Sequence, residues 1–232
     1  MKPLARAGRH GNVDATDERE PSEDAMECSL TVEGLPSTRF FLSRTTPKAG
    51  TGRAVPCRRG HPCPTARLAG GCLLPEAIKP VLAAFSPVLS HARVCLTLRR
   101  GGELAEVQET GQWAAFRLLI AAMRDSGCPF FGSSLPAGAG LPPKDDGAAT
   151  FRRMVRALTL PWRGAGGSEQ LARLALARCG RDIESRLHPI LCAARQHCRQ
   201  DAAINAVILM YNCTRLAVED GGEAKRPQPT AA

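Results

Sequence analysis

Cys57, His61, Cys63 and Cys72 follow one another as Cys-x3-His-x-Cys-x8-Cys, and all four are of the types that ligate zinc. Closed tetrahedral zinc sites do use three cysteines and one histidine. The paired Cys-x2-Cys knuckle of the common fingers is missing, however. Residues 44–71 are also rich in Pro, Gly and Arg, which is the composition of a loop. The four are candidate metal ligands that weigh more heavily as unpaired loop side chains, so the expectation is no metal and no cofactor. His188 and Cys192 stand four apart, with His197 and Cys198 following. Such a pair on one helix face can chelate a metal. Pro189 between them is expected to disturb that geometry, and the pair reads as the border of an amphipathic face.

Catalytic signatures are absent. The chain has no Gly-x-Ser-x-Gly elbow, no phosphate loop, no His-x-Glu deaminase pattern and no His-Glu-x-x-His pair. The expectation is a protein that is not an enzyme. The net charge of +9 could attract nucleic acid. Its arginines form no dense run with interleaved aromatics, and Arg99-Arg100 and Arg152-Arg153 read as solvated faces. Nucleic acid is therefore not the expected partner. Arginine far outnumbers lysine, as it does in proteins encoded by GC-rich genomes.

Ten cysteines would suit a disulfide framework, but residues 1–27 are polar and lack the apolar stretch of a secretory signal. Several cysteines (Cys95, Cys179, Cys192, Cys198, Cys213) fall on expected apolar faces, where cysteine acts as a small hydrophobe. A reducing compartment and free thiols are expected. No run approaches the roughly 18 apolar residues of a membrane span, so no membrane is expected either.

The elements that would position these residues follow from periodicity. Of the chain, 44% is apolar and only 4% aromatic, so the core must be built from aliphatic side chains. Residues 1–27 have the composition of a disordered arm. Cys28, Leu30 and Val32 alternate with polar residues and predict a strand, with a partner over residues 39–43. From Pro75 the spacing turns helical: Ile78, Val81, Leu82, Phe85, Val88 and Leu89 form one stripe. Residues 94–98 alternate like a strand within this helical region. Trp113, Phe116, Leu119, Ile120 and Met123 mark a clear helix. Asp145 and Asp146 open another, with Phe151, Met154, Val155 and Leu158 inward.

Residues 168–180 are apolar nearly all round, with Ser168 as N-cap and Gly180 as a left-handed stop, and predict the central helix of a bundle. A helix over 183–198, broken at Pro189, and a last helix capped by Asp201 complete the set. Residues 220–232 make a polar tail.

The segment from Phe116 to Phe151 resembles the poxviral Bcl-2-like intracellular immune modulators. Those proteins have an amphipathic helix with an acidic residue near its end, then an aromatic-Gly pair. A variable loop and a helix opened by an aromatic residue follow. The matching positions are Leu119, Met123, Asp125, Phe131, Gly132 and Phe151. The resemblance covers residues 75–219. It implies a mainly α protein, a Bcl-2-like helical bundle over 75–219. Residues 1–74 would be a loop-rich, partly β extension, and 220–232 the tail.

It also implies a non-enzymatic immune-evasion protein of the host cytoplasm. Such a protein binds a host innate-signalling protein and inhibits NF-κB, interferon or Toll-type signalling, and homodimerisation is open to it. One alternative is an inhibitor of apoptosis that binds pro-apoptotic helices. The Asn-Trp-Gly-Arg groove signature is absent, though, its nearest string being Cys179-Gly180-Arg181-Asp182. The other alternative is a basic nucleic-acid-binding regulatory protein with a small zinc site.

Overall fold

The computed structural model describes residues 25–43, 73–128, 131 and 169–223. Met26, Cys28, Leu30 and Val32 are buried at every second position of strand β1 (Met26–Val32). Gly34, at φ +78°, turns the chain into β2 (Thr38–Leu42). Helix α1 (Leu74–Phe85) follows, opened by Pro75 and continuous through Pro80. Of the predicted stripe, Ile78, Val81, Leu82 and Phe85 are buried on it, while Val88 and Leu89 lie beyond its end, Val88 buried and Leu89 exposed.

The chain then departs from a helical bundle. Residues 93–110 form two strands, β3 (Arg93–Arg100) and β4 (Glu103–Thr110). Gly101 and Gly102 join them at φ +55° and +85°. Both angles are left-handed, as tight two-residue hairpin turns require. The four strands make one antiparallel sheet in the order β2-β1-β3-β4. With helices α2 (Gly111–Asp125), α3 (Glu169–His197) and α4 (Ala202–Glu223), the described residues hold four helices and this sheet.

The protein is therefore a mixed α/β molecule, and the mainly α, Bcl-2-like bundle expected over 75–219 is corrected. Two physical reasons stand out. Val94, Leu96 and Leu98 bury one face while Arg93, Cys95, Thr97 and Arg99 face out, a period of two that no helix can use. β1 and β2 are also no appendage, since β1 pairs with β3 from Glu27↔Arg99 to Val32↔Val94.

α2 occupies the centre. It packs against the sheet, α1 and α4 at once. Ala114, Ala115, Phe116 and every residue from Leu118 to Met123 are buried. The bidentate Arg117–Glu109 pair (2.9 and 3.1 Å) ties it to β4. Of the expected centre, residues 169–180 belong instead to the first half of α3, which runs on unbroken past Gly180 and Pro189. Gly180 is no stop. A Cβ there would lie 2.8 Å from Val218 Cγ2, so glycine lets α3 approach α4 closely. Pro189 removes only one helical amide and its bond, a loss that tertiary packing can offset.

α4 starts immediately after Asp201, as expected. The Asp201 carboxylate accepts from the Ser90 amide (2.7 Å) and hydroxyl (2.9 Å) and from Asn205 Nδ2 (3.0 Å). Beside it, Arg199 N and Gln200 N donate to Ser86 O, and Ala202 N donates to Val88 O. Ser86 Oγ donates to His197 O (3.0 Å). These bonds clasp the α3–α4 turn onto the α1–β3 loop.

The Ser90 amide chiefly, and its hydroxyl, hold the Asp201 carboxyl below its ordinary value. A depressed carboxylate stabilises the fold above the unfolded value, about 3.9, and loses that contribution as pH falls through the lower native value. Denaturant titrations at several pH values are expected to show stability falling on the acid side. Asp201→Ala should flatten that limb while lowering neutral-pH stability. An unchanged acid slope in Asp201→Ala would mean the clasp does not titrate.

Candidate functional site

The helices cover one face of the sheet. Opposite them lie Ser29 and Thr31 of β1, Arg39 and Phe41 of β2, Cys95 and Thr97 of β3, and Leu104, Glu106 and Gln108 of β4. This outer face mixes charge signs. Arg39 pairs with Glu27 at 2.6 Å and lies over the Phe41 ring, 5.7 Å from its centroid. At one end a shallow hollow of about 590 Å³ is lined by Thr31, Glu33, Arg93, Cys95, Gln108 and Thr110.

Cys95 contributes the one thiol that lines that hollow. Its thiol donates to Glu106 Oε1 at 3.3 Å. Burial and the neighbouring carboxylate push its pKa up, so it remains a neutral thiol. Reactive cysteines need the opposite environment, one that favours the thiolate. Cys28 is pushed up to about 12 by burial, against a lowering from Arg100 and with a further rise from Glu27. Burial also raises Cys198. The described thiols of Cys28, Cys95, Cys192 and Cys198 are free of disulfides.

β4 bounds the sheet. Among the described residues it pairs only with β3. Leu104, 62% exposed, is the most exposed large apolar side chain described. Glu103 and Glu106 stand exposed along the same strand. Sequence periodicity misses β4 because only Ala105 on it is buried. The Gly101-Gly102 dipeptide after an alternating run was the available signal, since such a pair joins hairpin strands.

The other singled-out residues have structural roles or lie elsewhere. Leu119, Met123 and Phe131 are fully buried. Burial would raise the Asp125 carboxyl, but bonds from Arg124 (2.9 Å) and Arg100 outweigh it and lower the value. Arg100 thus serves an ion pair, while Arg99 is exposed. Gly132, Phe151, Arg152-Arg153 and the Asp145-Asp146 helix lie outside the described residues, as do Cys57, His61, Cys63 and Cys72. Among the described residues no group of three or more His, Cys, Asp or Glu side chains could hold a metal. His188 and Cys192 do come together on α3, with Sγ 3.6 Å from Nε2. No described helix is long and apolar enough to cross a membrane.

No family model, curated protein or solved structure matches the chain.

Proposed function

We propose that the protein is a non-enzymatic binding protein that engages an extended segment of another polypeptide along the outer edge of β4. The observation that carries this is the eight-residue strand that, among the described residues, is paired on one side only, with Leu104 standing exposed on it. An unpaired strand edge presents alternating amide donors and carbonyl acceptors, and an added strand satisfies both. Glu103 and Glu106 favour a segment bearing Lys or Arg.

The host innate-signalling partner rests on the resemblance of residues 116–151 alone, since the helical bundle that first supported it is gone. The mixed-sign outer face argues against nucleic acid, which is tracked by a stripe of one sign.

The test pairs NF-κB and interferon reporters with direct binding of whichever signalling protein the chain captures. The wild type is expected to suppress a reporter. Leu104→Lys with Gln108→Lys, which load the edge with lysine, should weaken binding at least roughly tenfold, about 1.4 kcal/mol. Undiminished binding by that variant would refute the edge, and silence of the wild type in both reporters would refute the signalling partner.

A further inference from the structure

α3 is continuous through Pro189, so His188 and Cys192 lie one turn apart on the same face. Their donor atoms are 3.6 Å apart. In a tetrahedral zinc site, Zn–S is about 2.3 Å and Zn–N about 2.0–2.1 Å, which places a sulfur and a nitrogen ligand roughly 3.5–3.6 Å from each other. The pair is set at the bite of one zinc ion. His188 is exposed and Cys192 half-buried, so an ion from solvent can reach both. A thiolate with an imidazole selects zinc over the hard cations.

Two ligands are half of a closed site. Among the described residues no third His, Cys, Asp or Glu joins them. We infer that His188 and Cys192 form half of an intermolecular zinc site, completed by the same two residues of a second copy of this chain. A two-fold axis through the metal gives a Cys2His2 set, the isologous arrangement of most dimers. Each Cys192 releases its thiol proton to solvent as its Zn–S bond forms, so two protons leave and the two thiolates neutralise the ion.

The surroundings suit a second copy. α3 and α4 run antiparallel, with the Tyr211 hydroxyl donating to Glu184 O at 3.1 Å. Ile208, 40% exposed, lies a turn along α4 from Tyr211 in the direction of His188. Ile208 is thus an exposed apolar side chain on the neighbouring helix that a second protomer would cover.

The experiment uses the full chain, metal-stripped and held reduced, titrated with Zn2+ and then with Co2+ while sedimentation reports mass. Zinc is expected to double the mass, and a chelator to reverse it. Wild type should take up one metal per two chains beyond what Cys192→Ser takes up, a difference that cancels any metal bound elsewhere. With Co2+, a thiolate-to-metal charge-transfer band should appear and be lost in Cys192→Ser. It should shift or vanish in His188→Ala. Both positions lie at the surface, and circular dichroism checks that each variant stays folded. The inference is overturned if wild type and Cys192→Ser take up equal metal, or if zinc still doubles the mass of Cys192→Ser. It is equally overturned if the extra ion binds a monomer one to one.

Discussion

Alanine at Gly111 is expected to destabilise the protein by about 3 kcal/mol, the upper range for forcing atoms into a packed site. Gly111 is the first residue of α2 and has no need of a left-handed backbone. Helix propensity alone would make alanine there stabilising by about 0.5–1 kcal/mol. The contact geometry predicts the opposite sign. An added Cβ would stand 2.4 Å from the Leu89 carbonyl oxygen and 2.9 Å from Val88 Cγ1.

Neither side can yield easily. Gly111 N donates to Ala92 O (2.9 Å) and Gln112 N to Ser90 O (3.0 Å), while Ala202 N holds Val88 O from the other direction. Chemical unfolding of Gly111→Ala against wild type decides the matter. Equal or higher stability in the variant would show that α2 is not seated on this loop.

Truncating Phe116 to alanine should cost more, about 3–5 kcal/mol, from lost burial and the cavity left behind. Phe116 is fully buried at the middle of α2, and the Trp113 ring meets it edge-on with centroids 5.4 Å apart. A domain of ordinary stability has about 5–15 kcal/mol in total, so the variant would stand near the unfolding threshold at 37 °C. Phe116→Leu, which keeps most of the volume, should lose far less. Thermal melts of the pair measure both. A Phe116→Ala protein that melts within a degree or two of wild type would place the core elsewhere.

Much of the local structure was legible. β1 and α1 announced themselves because each buries one face only, so apolar side chains recur at the spacing of the backbone that carries them, and α2 because its large apolar side chains recur at helical steps. β3 was legible as a strand pattern and was overruled by its helical neighbours. A strand's partner lies outside any sequence window, and Leu96 finds Leu30 across more than sixty residues of chain. β4 was illegible because an edge strand facing solvent on most sides has little reason to alternate.

The helix over 168–180 misled in a different way. An all-round apolar surface says that neighbours exist on several sides, not which helix is innermost. Gly180 and Pro189 have the composition of helix breaks, yet their meaning depends on α4 lying alongside. As for the candidate sites, the His188–Cys192 spacing was visible while its geometry hinged on α3 staying whole.

The Asp201–Ser90 clasp joins residues 111 apart in the chain. The two strand hairpins and the α3–α4 hairpin each close over far shorter distances. Loop-closure entropy falls hardest on the longest connection, so the hairpins can form early and independently while the clasp waits for both halves to be in place. Interactions absent from the folding transition state act on the unfolding rate and leave the folding rate nearly untouched. A single carboxylate at the head of α4 therefore governs how long the assembled molecule persists more than how quickly it assembles.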